Sequence, residues 1–145
     1  MNRALIAYSS RRGATETIAR CIGEGLAAAG MEVHILPAGE IRTEASLEGF
    51  DAYVFGSATY HGEMMQHTKQ LLFLADKVNL KGRAGGAFGA FGWSGEAPSR
   101  IWETMRHILG MDMVEGPLQI QSAASDTDCA KARDYGVRVA SRVTG

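Results

Sequence analysis

Ala4-Leu5-Ile6-Ala7-Tyr8-Ser9-Ser10-Arg11-Arg12-Gly13-Ala14-Thr15-Glu16 sets an apolar run of strand length, a polar turn and a helix start in immediate succession. The unbroken apolar run over 4–8 suits a strand covered on both faces, as in a parallel sheet. After Gly13, residues Ile18, Ile22, Gly25, Leu26 and Ala29 recur at helical spacing, and Gly30 makes a terminal cap. Between strand and helix lie hydroxyls, a glycine and the positive end of a helix, a combination that suits a phosphate. The same residues would also serve as an ordinary serine/threonine helix cap with a turn glycine, so this stretch alone leaves both readings open.

Beyond it, strands and helices alternate. Residues 33–36 read as a second strand closed by Pro37, and 38–50 as a loop with one helical turn near 45–47. A third strand follows over 51–56 and a helix over 65–78. The stretch 84–91 is rich in glycine and alanine, yet its apolar character predicts a fourth, central strand whose small side chains let helices approach. A helix over 99–109 carries Ile101, Trp102, Met105, Ile108 and Leu109 as its apolar face, with Trp102 as a core residue. A fifth strand over 113–120 and a terminal helix over 126–143 complete the chain. This order predicts an α/β fold, a doubly wound five-stranded parallel sheet with right-handed crossovers. Five strands without a sixth favour the strand order 2-1-3-4-5 over the six-stranded dinucleotide-binding arrangement.

A length of 145 residues predicts one domain over 1–145. The net charge of −1 and scattered basic residues argue against nucleic acid as a partner. No apolar run is long enough to span a bilayer, so no membrane is expected. Met1-Asn2-Arg3 and the short run after it lack the cleavage signature of a signal peptide, and a cytoplasmic location is the expectation. Cys21 and Cys129 stand far apart in helical stretches with no metal-binding spacing, and read as buried free thiols rather than a redox pair. No residue pattern predicts a metal site.

In sheets of this kind ligands bind beyond the carboxyl ends of the strands, where the strand order reverses. After the third strand comes Gly56-Ser57-Ala58-Thr59-Tyr60-His61-Gly62-Glu63, a hydroxyl-rich loop whose Tyr60 can stack on a planar ring. A partly exposed tyrosine in a polar loop is the plainer alternative, and His61 reads as a solvent-facing loop histidine. After the fourth strand comes Phe91-Gly92-Trp93-Ser94-Gly95-Glu96. A tryptophan between two glycines in a loop fits ligand stacking better than core packing.

Together the three loops resemble the flavodoxin family. Ser10-Arg11-Arg12-Gly13-Ala14-Thr15 is similar to its phosphate loop, Ser/Thr-x-x-Gly-x-Thr. Gly56-Ser57-Ala58-Thr59 and Phe91-Gly92-Trp93-Ser94-Gly95-Glu96 resemble in particular the flavodoxin domain of flavodiiron proteins. The resemblance implies a flavodoxin-like fold and the cofactor FMN. It implies that Ser10, Arg12, Gly13, Ala14 and Thr15, with Ser9 and Arg11 beside them, hold the phosphate. It places the ring between Ser57, Ala58, Thr59, Tyr60, His61 and Gly62 on one side and Phe91, Gly92, Trp93, Ser94 and Gly95 on the other. The His61-Gly62 peptide then stands where a backbone carbonyl turns toward the ring on reduction. Two arginines within the phosphate loop, and Ala58 where the flavodiiron loop has proline, depart from the family pattern.

The implied function is an electron-transfer flavoprotein shuttling electrons between redox partner proteins, with FMN supplying the redox chemistry. No catalytic residue is assigned. The alternative is an FMN-dependent reductase of a quinone or similar small acceptor, for which the short loops offer no evident extra pocket. A response-regulator receiver needs an acidic cluster after the first strand and an Asp after the third. Ser9-Ser10 and Gly56-Ser57 stand there instead. A P-loop nucleotidase fails for want of GxxxxGK[ST]. The diiron half of the flavodiiron proteins is absent, so this chain has no evident means of reducing oxygen by itself. Donor, acceptor and oligomeric state are not legible in the sequence.

Overall fold

The computed structural model describes residues 2–9, 13–60, 63–91, 96–121 and 126–143. Strand β1 (Arg3–Ser9) pairs in parallel with β2 (Glu32–Pro37) on one side and β3 (Ala52–Ser57) on the other. Its unbroken apolar run is buried because both faces are covered. Ala4 and Ile6 enter one apolar cluster, Leu5 and Ala7 the other, as the two-residue period of a strand requires. β3 pairs with β6 (Ala84–Phe91). β6 in turn pairs with β7 (Asp112–Met113) near its start and β8 (Leu118–Gln121) near its end. All these pairs are parallel, in the order β2-β1-β3-β6-β7, with β8 also on β6. The predicted order 2-1-3-4-5 is therefore correct, with its fifth strand in two pieces. The short antiparallel hairpin of β4 (Thr59–Tyr60) and β5 (Glu63–Met64) is an addition the alternation of long elements did not announce.

Helices α1 (Ala14–Ala28) and α4 (Asp126–Ser141) cover one face of the sheet, and α2 (Gln66–Lys77) and α3 (Glu96–Glu103) the other. The glycines of β6 explain how a strand so poor in side chains can be central. A Cβ at Gly86 would lie 2.8 Å from the Tyr135 ring and 3.0 Å from Val139, and one at Gly85 2.7 Å from the Met113 sulfur. Side chains from the covering layers fill the space that the strand leaves open.

Three expectations need correction. The fifth strand, read as continuous over 113–120, is broken. Gly116 takes φ +73° between β7 and β8, and the Tyr135 hydroxyl occupies the gap, donating to the Gly116 carbonyl (2.9 Å) and accepting from the Ala87 N–H (3.0 Å). The helix expected over 99–109 starts earlier, at Glu96. Pro98 sits in its first turn, where a missing N–H forfeits no helical bond. It then widens into a π turn over Thr104–Ile108. The wider turn shifts the face, leaving Ile108 exposed while Met105 stays buried. Trp102 is half-buried, and its indole N–H donates to the Val114 carbonyl at 2.8 Å.

The third correction concerns the cysteines. Cys21 and Cys129 are joined in a disulfide, with Cα atoms 5.4 Å apart across a sequence separation of 108. The fold brings α1 and α4 side by side on one face. At Gly25 and Gly136 they meet backbone to backbone, because a Cβ at Gly25 would strike the Arg133 carbonyl and one at Gly136 the Ile22 carbonyl. No described helix is long and apolar enough to cross a membrane.

Candidate functional site

Because the sheet is parallel, the carboxyl ends of β1, β3, β6 and β8 lie along one edge. Ser9 stands beside Ser57 in the β1–β3 register, and Phe91 beside Gln121 in the β6–β8 register. α1 begins at this edge. Gly13 at its N-cap has φ +84° and ψ −10°, in the left-handed region, and among the described residues no side chain caps the helix. A Cβ at Gly13 would meet nothing within 4 Å, so it is the backbone conformation, not crowding, that asks for glycine. The first-turn amides of α1 have no acceptor within the helix, and the helix dipole adds partial positive charge there.

Thr15 lies in this first turn and is only 1% exposed, yet its Oγ1 has no hydrogen-bond partner among the described residues. A buried hydroxyl left in that state costs about 1–3 kcal/mol, so native proteins rarely keep one without a use. An anion seated at the helix start would accept from both the hydroxyl and the amides. The one acidic group of the first turn, Glu16, is engaged elsewhere. It accepts from Arg20 at 2.9 Å, and its nearness to Tyr8 adds to burial in raising that phenol's pKa.

A set of buried hydroxyls joins the neighbouring loops. Thr68 on α2 donates to Ser9 Oγ at 2.7 Å, while the Ser9 carbonyl accepts from the Ala58 N–H at 3.0 Å. Ser57 Oγ donates to the Ala58 carbonyl at 2.8 Å and accepts from the Met65 N–H at 2.9 Å. Thr59 Oγ1 accepts from the Ala97 N–H at 3.2 Å, in the first turn of α3. The Ser57 and Thr59 hydroxyls therefore tie the β3 loop to the starts of α2 and α3. Close packing at the strand ends has the same effect: a Cβ at Gly56 would enter the Phe88 ring, and one at Gly89 would strike the Ser57 carbonyl.

Of the residues singled out in the sequence, Ser9 ends β1, Gly13, Ala14 and Thr15 open α1, and Ser57, Ala58 and Thr59 lie beside Ser9 at the end of β3. Tyr60 is described through its backbone, paired with Glu63, and Phe91 likewise, as the last residue of β6. Ser10, Arg11, Arg12, His61, Gly62, Gly92, Trp93, Ser94 and Gly95 lie outside the described residues. Sequence reading missed Thr68. A signal for it existed: Thr68 shares the buried stripe of α2 with Leu71, Leu72 and Ala75, and a polar residue on such a stripe needs a partner.

Comparison with known proteins matches this architecture to a group. The family model described as "Flavodoxin" matches residues 6–136. The type A flavoprotein of Rhodobacter capsulatus is 34% identical over 97% of this chain, which covers 33% of that relative. The flavodoxin of Nitratidesulfovibrio vulgaris is 30% identical over 83% of this chain and 85% of its own length. Among solved structures, a flavodoxin from the domain Archaea superposes with a TM-score of 0.91 at 30% identity, covering 97% of this chain and 98% of its own. The chain thus spans about a third of the type A flavoprotein but most of the length of these flavodoxins. It belongs to the flavodoxin family, whose members bind FMN.

Proposed function

We propose that the start of α1 holds the FMN phosphate, and that the domain passes electrons between redox partner proteins from a flavin seated at the carboxyl edge of the sheet. FMN supplies the redox chemistry, and the chain orients it and shields it. The carrying observation is the buried Thr15 hydroxyl, in the first turn of α1, with no partner among the described residues. In this reading Thr15 Oγ1 and the amides of Gly13 and Ala14 take the phosphate, with Ser10 and Arg12 completing the cradle. Ser9, Ser57, Ala58 and Thr59 shape the wall beside the ring, and the expected ring contacts are Tyr60 and Trp93.

Removing the phosphate from the ligand tests this directly. Riboflavin carries the same ring without that group, so the apoprotein should bind FMN far more tightly than riboflavin. A charge-assisted hydrogen bond contributes about 1.5–3 kcal/mol, so two or more predict a difference of at least 100-fold. Equal affinities for the two ligands would remove the phosphate from the start of α1.

A further inference from the structure

The Cys21–Cys129 disulfide lies within the α1–α4 contact, and the flavin reading gives it no part. Cys129 is the fourth residue of α4 and half-buried, whereas Cys21 is buried in the middle of α1. The helix pair does not depend on the bridge for its docking. Gly25 and Gly136 bring the two backbones into contact, Ala132, Tyr135 and Val139 are buried beneath α4, and Arg133 pairs with Glu24 at 2.8 Å. These contacts lie C-terminal to Cys129 along α4, so the bridge fastens only the helix's first turn. The Glu24 carboxylate lies within 4.8 Å of both sulfurs. Its pairing with Arg133 means that sulfurs released there would face a neutralised pair rather than a bare charge.

We propose that Cys21 and Cys129 form a second two-electron redox site, a dithiol–disulfide couple that thiol reductants open while α4 remains docked on α1. The reductant's thiolate attacks the more accessible Cys129 sulfur. The Cys21–Cys129 bond breaks, and Cys21 leaves as a thiolate that takes a proton from water. A second thiol of the reductant then displaces Cys129 from the mixed disulfide, giving two protein thiols and one oxidised reductant disulfide. The reverse exchange with a small disulfide re-forms the bridge. In a reducing compartment the pair would stand open, and in an oxidising one closed, so the chain would register thiol poise independently of its flavin.

The test uses the whole chain under native conditions. Protein is equilibrated across a series of dithiothreitol redox buffers and alkylated with iodoacetamide, and its intact mass is measured. The expected result is a two-state change from no label to two labels, reversed by oxidised glutathione, with a cooperative melt retained throughout. Amide exchange should accelerate in the first turn of α4 on reduction and stay unchanged across Gly136. A Cys21→Ala/Cys129→Ala variant should fold and show the same faster exchange without reductant. The proposal is overturned if labelling requires denaturant, since the bridge is then a sealed structural link. It is equally overturned if reduction abolishes the cooperative melt, or if both thiols stay free in oxidised glutathione.

Discussion

Replacing Thr15 by valine separates the two roles that a hydroxyl at the start of α1 can have. Valine keeps the branched shape and removes only the polar atom. If the Oγ1 is an idle cap, its loss is neutral or mildly destabilising, and ligand binding does not change. If it is held for a phosphate, the apoprotein now carries a buried hydroxyl without a partner among the described residues. The substitution then stabilises the apoprotein by about 1 kcal/mol and at most about 3. For a chain of this size each kcal/mol moves the melting temperature by roughly 3–5 °C. The same change takes a charge-assisted bond of about 1.5–3 kcal/mol from the FMN complex, weakening FMN by about 10- to 150-fold. Riboflavin affinity should not change. The ranking of the two proteins therefore inverts with ligand: Thr15→Val melts higher without FMN, and the wild type melts higher in excess FMN, because binding stabilises in proportion to ln(1 + [L]/Kd). Differential scanning calorimetry with and without FMN, joined to titrations of both flavins, reads all four quantities. An apo variant that is less stable, with FMN affinity unchanged, would refute the reasoning.

Three further outcomes follow from contacts already described. Thr68→Val removes the donor to Ser9 Oγ and should weaken FMN by about 2- to 12-fold, the worth of one net hydrogen bond, while Thr68→Ser restores binding; calorimetric titration decides. Gly56→Ala drives a methyl into the Phe88 ring between two buried strands and should cost about 1–3 kcal/mol in urea unfolding. Tyr135→Phe leaves the Ala87 N–H and the Gly116 carbonyl without their partner, a loss of about 2 kcal/mol or more at neutral pH. Burial pushes the Tyr135 phenol up to about 12. Between pH 10 and 12 the unfolded chain releases this proton before the folded one does, so stability should fall as pH rises through that window, by roughly 3 kcal/mol at its top. Urea midpoints from pH 8 to 11 should fall more steeply for the wild type than for Tyr135→Phe.

What the sequence disclosed was set by how local each feature is. The 4–8 run, the helical spacing after Gly13 and the alternation of elements depend on neighbours, and β1, α1 and the order of the long elements stand where these patterns put them. The glycine-rich β6 was legible through its place in the alternation, although the reason for its glycines, Tyr135 and Val139 above and Met113 below, comes from distant elements. The break in the fifth strand depends on Tyr135, nineteen residues after Gly116, and nothing near 113–120 announces it. The cysteine pair carries no local signal for the same reason, since only the packing of α1 on α4 brings 21 and 129 together. At the proposed site, the left-handed Gly13 and the buried Thr15 at the start of α1 carry a local pattern. The engagement of Ser57 and Thr59 with the Met65 and Ala97 amides does not, because hydroxyls in a loop look alike until their partners are placed.

The broken fifth strand has a consequence for how copies of this protein meet in concentrated solution. An open sheet has two outer margins, and an unpaired strand there is a template on which another chain can grow into an aggregate. On one side that margin consists of a two-residue and a four-residue piece, interrupted at Gly116 and followed by Pro117, which has no N–H to offer. On the other, β2 carries Glu32, ion-paired with Arg3 and hydrogen-bonded with His34, and ends in Pro37. Neither margin presents a long, flat, apolar ladder. The interruption that Tyr135 closes from within thus also protects from without, and straightening it with a regular strand over 113–120 should make the protein more prone to aggregate.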